Sequence, residues 1–469
     1  MCRETFHSAT VAAIQEGCKL GDELSKVRRS ENPLLHCSNR PAGDMRGGSE
    51  AKACGIQWIF PFMTKKIKAS IKAPLEKNAH GHEERDDALT DKLIELAIEL
   101  RDVDLYATLN DDKTKALAVL RKTVRKCLQN AREQALDEAL ETVYEKDVKA
   151  YHVLRESVEE QAGTILLRRD SGPELEVNAF AVPMFVHTQG GLHTDQCFQD
   201  GDAFEQLRAS FIEHGLESRH ASVVLVSHAY HPDEMDRIGY CHLNAMVQEA
   251  ADAMTRKKAS MADAIVRSLS GWPPSGFAPD DQAVELRFLV GFALKPADDP
   301  FYRVPEKAAA ADRYFEARAE RFRKWTQQVT PLLQRCLVTD GREVRIDFLY
   351  QDLFHGAREA ALIELSVLRV LTEVRDLFET QGNGATDVEA VIGPVDSDEE
   401  SLLRVNLSRS AGNADLGYAE RLLSRTESME SAIDDIADGL TAMGIVEVKI
   451  ASAFDSEGCP NSVRPYRKR

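Results

Sequence analysis

The sequence predicts an α+β protein, an α/β sandwich in which a helical N-terminal module precedes one or two ferredoxin-like sheets with helices on one face. Three observations predict it. Leucines and alanines recur three and four residues apart between residues 89 and 162, the spacing that lines one face of a helix. After Gly163, short runs rich in β-branched and aromatic residues alternate with longer amphipathic stretches, as strands between helices do. Of 469 residues, 43% are hydrophobic and 29% charged, which suits a folded chain too long for one core.

Residues 1–62 lack sustained periodicity and mix Gly, Ser, Asn, Pro and Cys. They are expected to be a non-native or disordered extension, with translation starting at Met63. Residues 63–88 are expected to be a polar linker that contains His80 and His82. A helical module over 89–163 follows. Its first helix carries Leu89, Leu93, Leu96, Ala97 and Leu100 on one face. Asp111 is a plausible N-cap for a second stretch, whose stripe runs Leu117, Leu120, Val124, Leu128, Ala131, Ala135 and Leu140. A third helix runs through Tyr151, Leu154 and Val158 to Gly163.

An α/β domain is expected over 164–340, with strands at 164–168, 176–186, 222–227 and 284–294 and helices at 202–214, 233–257 and 308–337. A ferredoxin-like domain is expected over 341–456, from strands at 344–349, 388–395, 402–407 and 446–451 and helices at 353–380 and 414–443. That order is βαββαβ. Residues 396–401 form an acidic connector, and Gly382 suits a helix C-terminal cap. Residues 457–469 read as a solvated basic tail that ends Arg464-Pro465-Tyr466-Arg467-Lys468-Arg469.

The formal charge of −18 argues against general binding to nucleic acid or anionic lipid, since both are polyanions. Nine scattered cysteines without a Cys-x-x-Cys pair read as reduced thiols, and so as a cytoplasmic location. No apolar run approaches the ~18 residues of a membrane span, and the start lacks the layout of a signal peptide.

No P-loop, dinucleotide-binding glycine motif, nucleophile elbow, kinase set or His-Glu-x-x-His occurs. Histidine is the local anomaly. Seven of 13 fall between residues 187 and 242, and Asp195 follows His193. His187 lies past one expected strand, His228 and His231 past the next, and His355 past a third. Ligands gather at the carboxyl ends of strands in open sheets, and imidazole with carboxylate suits a divalent metal. The candidate metal site is therefore His187, His228 and His231, with His193, Asp195 or His242 as further ligands; a metal there would activate water for hydrolysis. Against it, Pro232, Asp233 and Glu234 read as an ordinary helix start. Cys241 and His242, as neighbours on a helix, point apart and make a poor nucleophile pair. Arg256-Lys257-Lys258 fits a helix C-terminus.

Several stretches resemble an uncharacterised proteobacterial family that carries a domain of unknown function. They are Asn178-Ala179-Phe180-Ala181-Val182-Pro183, Leu286-Arg287-Phe288-Leu289-Val290, Phe301-Tyr302-Arg303-Val304-Pro305-Glu306, Phe348-Leu349-Tyr350-Gln351 and Ala357-Arg358-Glu359-Ala360. The similarity covers roughly residues 164–410. It implies a cytoplasmic bacterial protein and supplies no catalytic residues.

The function expected is that of a non-enzymatic binding or regulatory protein, which engages a protein partner or a second copy of itself and needs no cofactor. The alternative is a metal-dependent hydrolase built on the histidines between 187 and 242.

Overall fold

The computed structural model describes residues 79–103, 111–168, 173–187, 200–255, 284–305, 307–337, 344–350, 354–396, 401–411 and 414–467. The extension over 1–62, the Met63 start, His193, Asp195 and the Arg256-Lys257-Lys258 run lie outside them. Helix α1 (Ala79–Leu100) begins inside the expected linker, so His80 and His82 fall within its first turn. Helices α2 (Asp111–Gln129), α3 (Glu133–Lys146) and α4 (Val148–Gly163) complete the module. The stripe expected to continue from Leu117 to Leu140 is broken at Ala131, whose φ of 52° is left-handed. The Arg132 N–H there turns back to the Cys127 carbonyl at 2.9 Å, which ends α2. Asp147 starts α4, its carboxylate accepting the N–H groups of Lys149 and Ala150 at 3.1 Å. Leu93, Leu100, Leu120, Val124, Leu136 and Leu154 are fully buried between the four helices.

The first sheet contains β1 (Thr164–Leu167), β2 (Leu175–His187), β3 (Ser222–Tyr230), β4 (Val284–Pro296) and β5 (Arg345–Phe348). Its order is β1-β2-β4-β3, and β5 also pairs with β2. All pairs are antiparallel. Because β4 spans the whole of one side of β2, β1 and β5 share the other side, one at each end. The intervening helices are α5 (Gly201–Glu213), α6 (Pro232–Met235), α7 (Tyr240–Thr255) and α8 (Ala308–Leu337). The expected single helix at 233–257 is thus two, α6 and α7.

Helices cover both faces of this sheet, not the one expected. Val177, Ala179, Ala181 and Phe185 of β2 face a core shared with the N-terminal helices and α7. Phe180, Val182, Met184 and Val186 face a second core with α5 and α8. A strand buried on both faces reads as an unbroken apolar run, which is why β2 and β4 lack alternation. In the second core the Trp325 indole N–H donates to Ser210 Oγ at 2.8 Å, and the Phe211 ring lies 5.0 Å away.

The second sheet follows α9 (Phe354–Glu379). It comprises β6 (Val388–Pro394), β7 (Leu402–Arg409) and β8 (Asp415–Leu422), then α10 (Met429–Ala442) and β9 (Glu447–Ile450). The chain closes with the hairpin β10 (Ala453–Phe454) and β11 (Pro460–Asn461), and then β12 (Arg464–Pro465). The sheet order is β12-β9-β6-β7-β8, with β9 parallel to β6. Three expectations change here. β5 does not open this sheet but pairs with β2. The stretch expected as one helix over 414–443 begins with strand β8, so the unit is an antiparallel meander followed by a helical crossover rather than βαββαβ. The expected solvated tail instead folds back as β12 onto β9.

Helix α9 joins the two sheets. Phe354, Ala357, Ala361, Leu365 and Leu368 pack into the first sheet's core, and Val367, Val370, Leu371, Val374 and Phe378 into the second's. Its end is the cap expected at Gly382, where φ is +72° and the Asn383 N–H reaches the Phe378 carbonyl at 3.0 Å.

Candidate functional site

The three candidate metal ligands do not converge. In the register Tyr230 lies beside Phe288 and Phe288 beside Pro183, four residues short of His187. At ~3.3 Å per residue and ~4.8 Å per strand, His187 stands about 16 Å from Tyr230, whereas zinc ligands all lie ~2 Å from one ion. Among the described residues no group of three His, Cys, Asp or Glu side chains is arranged to hold a metal.

Each histidine has a local partner instead. His187 Nε2 meets Asp347 Oδ2 of β5 at 2.8 Å. Burial pushes the Asp347 carboxyl up, but the bond and charge of His187 with Arg345 hold it below the usual range. His228 Nε2 lies 3.2 Å from both oxygens of Glu234. His231 is the N-cap of α6: its Nδ1 accepts the Asp233 N–H at 3.2 Å, while its own N–H donates to Glu234 Oε2 at 2.7 Å. This reciprocal capping is the helix start that Pro232, Asp233 and Glu234 suggested. His242 is half-buried on α7, and burial lowers its pKa. Cys241 sits beside Glu133; burial and then that carboxylate push the thiol up, away from nucleophilic use.

What the fold does bring together is a polar junction at the start of α9. Asp236, just past α6, pairs with Arg358. On the same turn of α9 as Arg358, the His355 ring lies against that of Tyr240, the first residue of α7, with centroids 4.5 Å apart. The His355 Nε2 is sealed from solvent without a hydrogen-bond partner in the described structure. Burial and then the charge of Arg155 depress that imidazole to about 4. Arg155 of α4 pairs with Glu359 and lies 4.0 Å from Glu159. Glu359 Oε1 accepts the Thr426 hydroxyl at 3.1 Å. Burial, then Glu359, raises Tyr151 to about 12, and burial, then Glu159, raises Tyr240 well above its ordinary value. The loop between β8 and α10 adds its own ties: the Arg425 N–H donates to the Tyr144 hydroxyl at 3.2 Å and Arg425 Nη1 to the Glu145 carbonyl at 3.0 Å. The helical module, the first sheet and the second sheet therefore meet at one set of charged and aromatic side chains.

Sequence reasoning singled out His228, His231 and His355, missed Arg155 and Tyr240, and met Arg358 and Glu359 only as part of a resembling helix start, with no role for either. Arg155 and Glu359 are 204 residues apart, and each reads as an ordinary surface charge on its own helix. Tyr302, in a stretch singled out by resemblance, belongs to a separate network. There the Tyr302 hydroxyl donates to Glu217, the Ser218 N–H donates to that hydroxyl at 3.0 Å, and Ser218 Oγ donates to Asp299 at 2.6 Å. These bonds tie the loops before β3 and after β4.

A family model described as a protein of unknown function, DUF2863, matches residues 79–467. The match starts at the first residue of α1, so it takes in the helical module as well as the stretch that carried the resemblance. No curated protein and no solved structure matches the chain.

Proposed function

The chain belongs to the DUF2863 family, and we propose that it works in the bacterial cytoplasm as a non-enzymatic binding or regulatory protein that engages a protein partner through the β8 side of its second sheet. The observation that carries this reading is the exposure of that strand. β8 ends the sheet, and on its outer face Tyr418 is 53% and Leu422 43% exposed. Leu422 lies across from Leu402, and Glu420 between them is neutralised by Arg404 of β7. The start of the strand is tied by side chains, Gln381 to the Leu416 carbonyl and Asp415 to the Gly417 N–H, which leaves the 418–422 end of this edge, with its apolar side chains on one face, as the surface to which a partner strand adds.

The rest of the molecule supports the reading. The charged and aromatic side chains of the junction at α9 are tied to one another, with Arg155 paired to Glu359 and Arg358 to Asp236, and so hold three layers together. The four cysteines among the described residues are free thiols, in keeping with a reducing compartment. No helix of the described residues is long and apolar enough to cross a membrane. The acidity of the chain disfavours nucleic acid as the partner.

The test is chemical cross-linking of the full chain in its native lysate, beside a Tyr418→Lys/Leu422→Lys variant. Both positions are exposed, so the variant should melt within a degree or two of the parent. A discrete partner cross-linked to the parent and lost from the variant supports the proposal. The same cross-linked species from both chains would place the contact elsewhere and overturn it.

A further inference from the structure

The other edge of the second sheet is already occupied, and by the chain itself. Strand β9 would be an edge but for the tail: Arg464 pairs with Ile450 and Pro465 with Lys449. The Tyr466 N–H extends the ladder to the Val448 carbonyl at 2.9 Å. The Tyr466 ring packs against the second core, and its hydroxyl donates to Asp438 Oδ1 of α10 at 3.0 Å. Burial, then Asp438, and then Asp434 and Asp435 push that hydroxyl's pKa up; Asp438 touches the tail directly and Asp434 lines the groove beside it. Alongside runs a groove of about 820 Å³ between α10 and the tail, with Met429, Ile433, Pro394 and Ile450 among its apolar lining.

The hold on this edge is slight. The strand has two register pairs, one of them at a proline, which has no N–H to donate. Arg464 and Pro465 are exposed. Among the described contacts, Tyr466 is the one side chain that anchors the tail in the core.

We propose that the β9 edge and the groove beneath α10 form a docking site for an extended peptide of basic–proline–aromatic–basic pattern on a protein partner, and that residues 463–467 occupy this site until they are displaced. The main-chain ladder supplies affinity that any extended strand could use. Specificity comes from the aromatic seat filled by Tyr466 and from the acidic wall of α10, which matches the positive charges at Arg464 and Arg467. The tethered tail competes at an effective concentration of about millimolar, so a free peptide binds visibly only when the tail is weakened. This site is distinct from β8 and stands or falls separately from it.

The experiment adds a fluorescent peptide with the sequence of residues 462–467 to the full chain and to its Tyr466→Ala variant, and reads anisotropy. The parent should bind at least tenfold more weakly than the variant. Raised salt should weaken binding to the variant, and a peptide with the tyrosine replaced by alanine should not bind. Equal binding by parent and variant would overturn the proposal, as would a folded variant that does not bind. Amide exchange on the unmodified chain gives a second reading that no misfolded variant can confuse. The Tyr466 amide should exchange at least a hundredfold faster than those of β6; equal protection would make the tail a fixed part of the sheet and overturn the proposal.

Discussion

Replacing His355 with phenylalanine should flatten the acid side of the stability profile. In the folded chain burial, and then Arg155, lower this imidazole from 6.5 to about 4. Between those values the unfolded chain takes up a proton that the folded chain refuses. The histidine's contribution to stability is therefore complete above the unfolded value and is lost as pH falls toward the folded one. At ~1.4 kcal/mol per pKa unit, that loss is about 2 kcal/mol at pH 5 and about 3 kcal/mol below pH 4. Phenylalanine keeps a ring against Tyr240, which lies 4.5 Å away, and removes the titration. Urea unfolding of the full chain and the variant at pH 7 and pH 5 measures the difference through the midpoints. The variant should lose about 2 kcal/mol less than the parent between those pH values. An equal loss in both chains would refute the reasoning, since carboxylates elsewhere titrate alike in the two.

Two further expectations concern stability. A Cβ at Gly239 would stand 2.5 Å from Glu133 Oε1, whose carboxylate caps α7 by accepting the Tyr240 and Cys241 N–H groups at 2.6 and 2.7 Å. Gly239→Ala should therefore cost about 1–2 kcal/mol through loss of that cap, and an unchanged thermal midpoint would show that the cap is dispensable. Trp325→Ala opens a cavity in the core between the first sheet, α5 and α8 and removes the indole donor from Ser210 Oγ, which keeps its own bond to the Leu207 carbonyl; it should cost about 3–5 kcal/mol by urea titration. A cost below about 1 kcal/mol would mean that Phe211 and Phe322 collapse into the space.

The strands of the first sheet were legible because burial on both faces leaves runs such as Phe180-Ala181-Val182 with no polar interruption. The amphipathic helices were legible for the complementary reason. What failed to show was pairing. β5 looks the same in isolation whether it opens a new sheet or extends an old one, and only the distant β2 decides. β8 carries Asp415, Gly417, Glu420 and Arg421, because one of its faces is wet and its inward Arg421 is paired with Glu427; its composition therefore resembles a helix start. The break at Ala131 was invisible because alanine suits the helix on either side of it. The histidines at the end of β3 find their partners in the helix start that follows, Glu234 for His228 and Asp233 for His231, whereas those elsewhere find theirs in distant elements: Asp347 for His187, and Tyr240 for His355. A one-dimensional pattern gives residue types and faces; it carries no register between segments more than a hundred residues apart.

Helix α9 bears on how the chain can be divided. A boundary near residue 340 looks natural in one dimension, with strands and helices in similar order on either side. Yet a cut there would strip Phe354, Ala357 and Ala361 from the first sheet's core and leave them as an oily strip on the C-terminal fragment. Neither piece should be well behaved alone, and the two expressed together should find each other and reassemble around their common wall. For the same reason the two sheets are expected to melt together, as one cooperative body rather than as beads on a string, because α9 packs into both cores.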